Sequence, residues 1–102
     1  MELKPGSRWK SVVCAAEVVV VRPPKTAADL ECGGHAMVAF NAARPEGLTA
    51  AADRKEGVAT GKRYTDEETG LEVLVSKGGE GSLSLGGRAL KLKEAKALPS
   101  SD

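Results

Sequence analysis

The chain has 102 residues, 41% of them hydrophobic and 28% charged, with fifteen Lys and Arg against fourteen Asp and Glu. That length fits one core, and the composition lies far from the low-hydrophobicity, high-charge signature of disorder. The formal charge of +1, with no long run of either sign, leaves the strongly basic stripe of a polyanion binder absent or short, so nucleic acid is not expected as a partner.

Residues 1–102 are therefore read as a single small domain. Trp9, Phe40 and Tyr64 are the only aromatic residues, so Val, Leu and Ala must fill the core. Aromatics supply the largest buried areas, and a chain poor in them gains from association, which points to a homo-oligomer, a dimer in the simplest case. No apolar run approaches the roughly 18 residues of a membrane span, and the N-terminus lacks the apolar stretch of an export signal. Two cysteines without an export signal read as reduced thiols in a cytoplasmic protein.

In chain order, a Pro5-Gly6 turn leads into residues 8–22, whose second half is the strongest strand signal present. The four valines at 18–21 disfavour helix, and their unbroken apolar run predicts a central strand buried on both faces. Pro23-Pro24 ends it, because neither residue can donate to a ladder. Leu30-Glu31-Cys32 and His35-Ala-Met-Val-Ala-Phe40 follow as strands around a Gly33-Gly34 bend, with Phe40 assigned to the core. Residues 41–61 lose strand periodicity and form a long connection, where Thr49 could cap one short helix over 50–56 closed by Gly57.

The C-terminal half predicts two hairpins. A turn at 67–70 pairs Tyr64 with Val73. Gly86-Gly87 pairs Leu85 with Arg88, facing Leu83 and Leu90 to the core and leaving Ser82, Ser84, Ala89 and Lys91 on a wet face. Residues 97–102 read as a mobile tail. The fold expected is mainly β: a small open sheet or partly closed barrel of five to seven mostly antiparallel strands, with at most one short helix.

The constellation that points most sharply to chemistry is Cys14, Cys32 and His35. Cys32-Gly-Gly-His35 sets a thiolate and an imidazole across glycines that let the backbone bend around one metal ion, zinc or iron. Cys14 would be a third ligand, and Glu17, Glu31, water or another subunit a fourth. The more ordinary reading makes the cysteines small buried hydrophobes and His35 a surface residue beside a turn. A Cys32/His35 nucleophile pair lacks an orienting third group, although Glu17, Asp29 and Glu31 could gather with Cys14 and His35 around a pocket. A Cys14–Cys32 disulfide is disfavoured, because a hairpin setting Arg22 opposite Leu30 puts Cys14 near Val38 and Cys32 near Val20; only another strand order could join them.

The glycines at 78–81 and 86–87 match no phosphate loop and read as hairpin turns. Lys62, Arg63, Arg88, Lys91, Lys93 and Lys96 read as a solvated sheet face diluted by acidic neighbours, with no aromatic platform for single strands.

The segment Leu3-Lys-Pro-Gly-Ser-Arg-Trp-Lys-Ser, followed by Cys14, the valine run and Cys32-Gly-Gly-His-Ala-Met37, resembles short, uncharacterised bacterial proteins with an Arg-Trp-Lys-Ser, Cys, valine-run, Cys-Gly-Gly pattern. The likeness covers roughly the first third of the chain, echoed in Leu-Ser-Leu and Leu-Pro-Ser-Ser-Asp, and implies no function and no residue role. The residues themselves favour a non-enzymatic binding or accessory module acting through self-association or a protein partner, ahead of a metal-binding protein or a small Cys/His enzyme.

Overall fold

The structure, a computed structural model, describes residues 3–26, 28–45, 47–51, 55 and 57–93. Its strands are β1 (Arg8–Lys10), β2 (Glu17–Arg22), β3 (Leu30–Cys32), β4 (His35–Ala36), β5 (Val38–Ala39), β6 (Arg63–Asp66), β7 (Leu71–Lys77), β8 (Leu83–Leu85), β9 (Arg88–Ala89) and β10 (Lys91–Lys93). They build two antiparallel sheets, one of six strands in the order β10-β6-β7-β2-β1-β5 and one of four in the order β4-β3-β8-β9. The mainly β, open-sheet expectation holds. Among the described residues ten short strands stand where five to seven were expected, because two strands read as continuous are broken where the chain changes sheet and Arg8–Lys10 forms a strand of its own.

Two single residues make those corners. Met37 separates β4 from β5 and Leu90 separates β9 from β10, so the predicted strand over 35–40 is split between the sheets. Each corner residue still donates its amide to the sheet being left, Met37 to Leu30 O and Leu90 to Leu83 O. Both side chains enter the core, so the bends that join the layers are themselves held by burial.

Val18, Val20, Leu71, Val73 and Val75 of the larger sheet and Leu30, Cys32, Leu83 and Leu85 of the smaller belong to one buried cluster, with Trp9, Cys14 and Tyr64 packed against it. β2 lies inside its sheet between β7 and β1, as the valine run predicts. Burial on both faces does not follow. Val18 and Val20 are enclosed, whereas Val21 is 43% exposed, because this antiparallel sheet sets only one face on the core. Phe40, expected in the core, is 40% exposed just beyond the edge strand β5.

The hairpin registers are as predicted: Tyr64 opposes Val73, and Leu85 opposes Arg88 across Gly86-Gly87. The wet face expected for Ser82 and Ser84 is corrected, since both are buried. Glu31 on the neighbouring strand covers Ser84, accepting hydrogen bonds from the Ser84 hydroxyl at 3.1 Å and the Gly87 amide at 2.9 Å. The glycines at 78–81 do not form a hairpin turn either, because β7 and β8 lie in different sheets and this segment links them. The helix expected over 50–56 falls partly outside the described residues, and Ala50, Ala51 and Lys55 are not helical. The tail at 97–102 also lies outside them. Among the described residues no helix is long and apolar enough to cross a membrane.

Candidate functional site

The expected separation of the two cysteines is overturned. β2 pairs with β1 and β7, and β3 sits in the other sheet, so the assumed β2–β3 hairpin does not exist. In its place the β1–β2 loop folds over the end of β3 and brings Cys14 Sγ to 3.8 Å from Cys32 Sγ. Cys32 belongs to the buried core cluster, and Cys14 packs against it.

Local chemistry holds each thiol. Ser11, fully buried, donates its amide to Ala16 O at 2.9 Å and closes the β1–β2 loop. Its hydroxyl oxygen accepts the amides of Val13 and Cys14, each at 3.1 Å, and lies 3.4 Å from Cys14 Sγ. A serine three residues before a cysteine thus satisfies the backbone of the turn and presents the thiol. Cys32 ends β3 ahead of Gly33 and Gly34, whose φ values of 65° and 85° are those of the two-residue turn that best matches strand twist. Cys-Gly-Gly-His is therefore a tight hairpin with Cys32 opposite His35.

His35 Nε2 lies 3.0 Å from Thr49 O, which ties the ring to the long connection. Of the three metal ligands expected, the structure thus brings Cys14 and Cys32 together and gives His35 a carbonyl contact. Glu17 lies opposite Lys77 and Glu31 opposite Ser84, on neighbouring strands. Among the described residues no three His, Cys, Asp or Glu side chains gather as a metal-holding group.

Glycines enclose the sulfurs from the far side. A Cβ at Gly79 would stand 2.7 Å from Cys14 Sγ and 2.6 Å from Ala16 N, and one at Gly81 would stand 2.9 Å from Cys32 Sγ. Nothing in the sequence alone marks Ser11, Gly79 or Gly81 as neighbours of the sulfurs, beyond the spacing of Ser11 to Cys14. The glycines carry no signal until the loop between β7 and β8 is seen to cross the pair.

The two thiols differ. Cys14 is partly exposed and Cys32 enclosed. Burial pushes the Cys14 thiol up, but hydrogen bonds from Ser11, the Ala16 and Gly81 backbone and Cys32 outweigh it and leave its pKa below the ordinary value. Burial, with the negative charge of a neighbouring Cys14 thiolate, pushes Cys32 up to about 12. Of the two sulfurs, Cys14 therefore gives up its proton more readily than Cys32.

A second arrangement lies on the outer face of the six-stranded sheet. Successive cross-strand pairs set Arg8 opposite Val19, Val19 opposite Leu74, Leu74 opposite Arg63, and Arg63 opposite Lys93. Phe40 extends the row, donating its amide to Arg8 O and lying with its ring 4.4 Å from the Arg8 guanidinium. Lys10, Arg22 and Lys91 occupy neighbouring rows, and the carboxylates among them are Glu17 and Glu72. Glu72 is buried beneath Arg63 and Lys93, at 3.2 and 2.9 Å. The hydrogen bond from Lys93 is the largest influence holding its carboxyl below the usual range. A chain of nearly balanced charge thus presents a cationic face with Val19 and Leu74, half-buried, at its centre.

Comparison with protein-family models, with curated proteins and with solved structures finds no match to this chain.

Proposed function

We propose that this chain is a small non-enzymatic binding module that holds an acidic, partly apolar segment of a protein partner against the outer face of its six-stranded sheet. The observation that carries the reading is the cross-strand row Phe40, Arg8, Val19, Leu74, Arg63, Lys93, in which exposed cations flank a half-buried apolar centre. Carboxylates of a partner would meet Arg8, Lys10, Arg63 and Lys93 while its apolar side chains covered Val19 and Leu74. A protein partner is favoured over self-pairing of edges, because β4, β5 and β9 are two residues long and β10 three, and such short edges offer little backbone for another copy to extend. A reducing, cytoplasmic setting belongs to the same proposal, in which Cys14 and Cys32 rest as thiols.

The test uses a fluorescein-labelled peptide of alternating Glu and Leu and the full chain, read by anisotropy. Binding should weaken at least tenfold in the Arg8→Ser/Lys10→Ser variant and should fall with added salt. Equal binding by the variant would overturn the reading. So would single-stranded DNA binding as tightly as the peptide, or a concentration-dependent dimer that the variant abolishes, which would give the face to polyanions or to a second copy.

A further inference from the structure

We propose that Cys14 and Cys32 are a reversible dithiol–disulfide pair, with Cys14 the sulfur that meets an external disulfide and Cys32 the one that resolves it. The pair packs in and against the core cluster, whereas the cationic row lies on the outer face, so its chemistry stands or falls apart from partner binding.

Three features of the structure carry the assignment. The sulfurs are already 3.8 Å apart, so a bond of about 2.0 Å needs them to approach by about 1.8 Å. The space for that approach exists because residues 79 and 81 are glycines; a methyl group at either would press on one sulfur. Access is also unequal, since Cys14 is partly exposed and Cys32 is fully enclosed, so a small oxidant reaches one thiol first. The hydrogen bonding of Cys14 through Ser11 favours its thiolate and agrees with that order.

The oxidant is a low-molecular-weight disulfide, RSSR. The Cys14 thiolate attacks one sulfur, a Cys14–SR bond forms, and RS⁻ leaves and takes up a proton. Cys32 then loses its proton to water or to the departing thiolate, and its sulfur attacks Cys14 Sγ. The Cys14–SR bond breaks and a second RSH is released. Two protein thiols are oxidised by two electrons and one RSSR is reduced to two RSH. Low-molecular-weight thiol in excess reverses both steps.

Closure has a structural consequence. It ties the β1–β2 loop of the larger sheet to β3 of the smaller across a sequence separation of 18 residues. A cross-link of that span removes loop-closure freedom from the unfolded chain, so the oxidised form should melt on the order of 10 °C higher than the reduced form.

The experiment titrates the full chain with mixtures of oxidised and reduced glutathione under metal-free conditions, quenches with acid, alkylates and weighs the products. The expected result is concerted loss of both thiols in a monomer lighter by two hydrogens, restored by excess reduced glutathione. Cys32→Ser should accumulate a stable glutathione adduct at Cys14, and Cys14→Ser should leave Cys32 unmodified over the same period. Wild type that stays reduced in oxidised glutathione, that stops at the Cys14 adduct, or that links two chains would overturn the proposal, and these readings need no variant to fold. A parallel sample given one equivalent of zinc supplies the remaining arm. Chelator-reversible retention of one zinc per chain, with both thiols then protected from glutathione, would assign the pair to a metal and overturn the disulfide reading.

Discussion

Arg88 grips Asp66 with two nitrogens, Nε at 2.8 Å from Oδ1 and Nη2 at 2.7 Å from Oδ2, and so ties the four-stranded sheet to the turn of the β6–β7 hairpin in the six-stranded one. Asp66 is buried and also accepts the Thr69 hydroxyl at 2.6 Å, while Arg88 keeps its outer side in water.

Arg88→Ala should lower stability. Removing the cation leaves the buried Asp66 carboxylate without its main counter-charge, and the loss is tempered because Arg88 is itself half-exposed. Thermal unfolding followed by circular dichroism checks it, with a fall on the order of 5 °C expected for a domain of this size. An unchanged midpoint would show that the pair adds nothing to the link between the sheets.

Acid should unfold the protein through the same group. The Arg88 hydrogen bonds hold the Asp66 carboxyl well below the usual carboxylate range, and Glu72 is lowered under Lys93 and Arg63. Groups whose folded pKa lies below the unfolded value of about 4 contribute stability in full above that pH and lose it as pH falls through the folded value. The melting temperature should therefore be level from neutral pH to about 5 and drop progressively below about 4. In Asp66→Asn the starting midpoint should be lower and the acid slope shallower; an equal slope in variant and wild type would remove Asp66 from the explanation.

The parts of this fold legible in the sequence are those in which a local turn sets the outcome. The Gly70 and Gly86-Gly87 turns determine which residues face each other within a few positions, and the Tyr64–Val73 and Leu85–Arg88 pairs follow. Pairings between distant segments carry no such signal. Val18 against Val75 joins strands more than fifty residues apart, and any two apolar strands offer similar faces. Sequence order alone makes β3 the natural neighbour of β2, and that placement keeps Cys14 apart from Cys32, whereas β7 and β1 are the strands that flank β2. The cationic face was hidden for the same reason, since Arg8, Arg63 and Lys93 meet only once the strand order is known.

The glycines around the thiols should tolerate no side chain, and the sulfur itself should account for part of the cost. A methyl at Gly81 would meet Cys32 Sγ at 2.9 Å and Gly33 N at 3.0 Å. Forcing extra volume into a packed site costs about 1–3 kcal/mol. Urea unfolding of Gly81→Ala should show a loss in that range, and the loss should shrink by at least about 0.5 kcal/mol when Cys32→Ala is the background, because contacting residues couple. Strict additivity would mean that backbone, not sulfur, sets the limit.

Phe40 and Leu30 supply the last prediction, since sequence alone assigns Phe40 to the core as the larger anchor. Leu30 is fully enclosed between the sheets, and Leu30→Ala should cost about 2–5 kcal/mol through lost burial and the cavity left behind. Phe40 is 40% exposed, and its described partner is the Arg8 guanidinium over its ring, an interaction worth roughly 0.5–1 kcal/mol at an open site. Phe40→Ala should therefore cost about 1 kcal/mol, although it deletes more carbon than Leu30→Ala. Urea midpoints of the two variants against wild type decide the matter. If Phe40→Ala unfolded the domain as readily as Leu30→Ala, the ring would have to be covered in solution, and the outer face would not be open where the partner is proposed to dock.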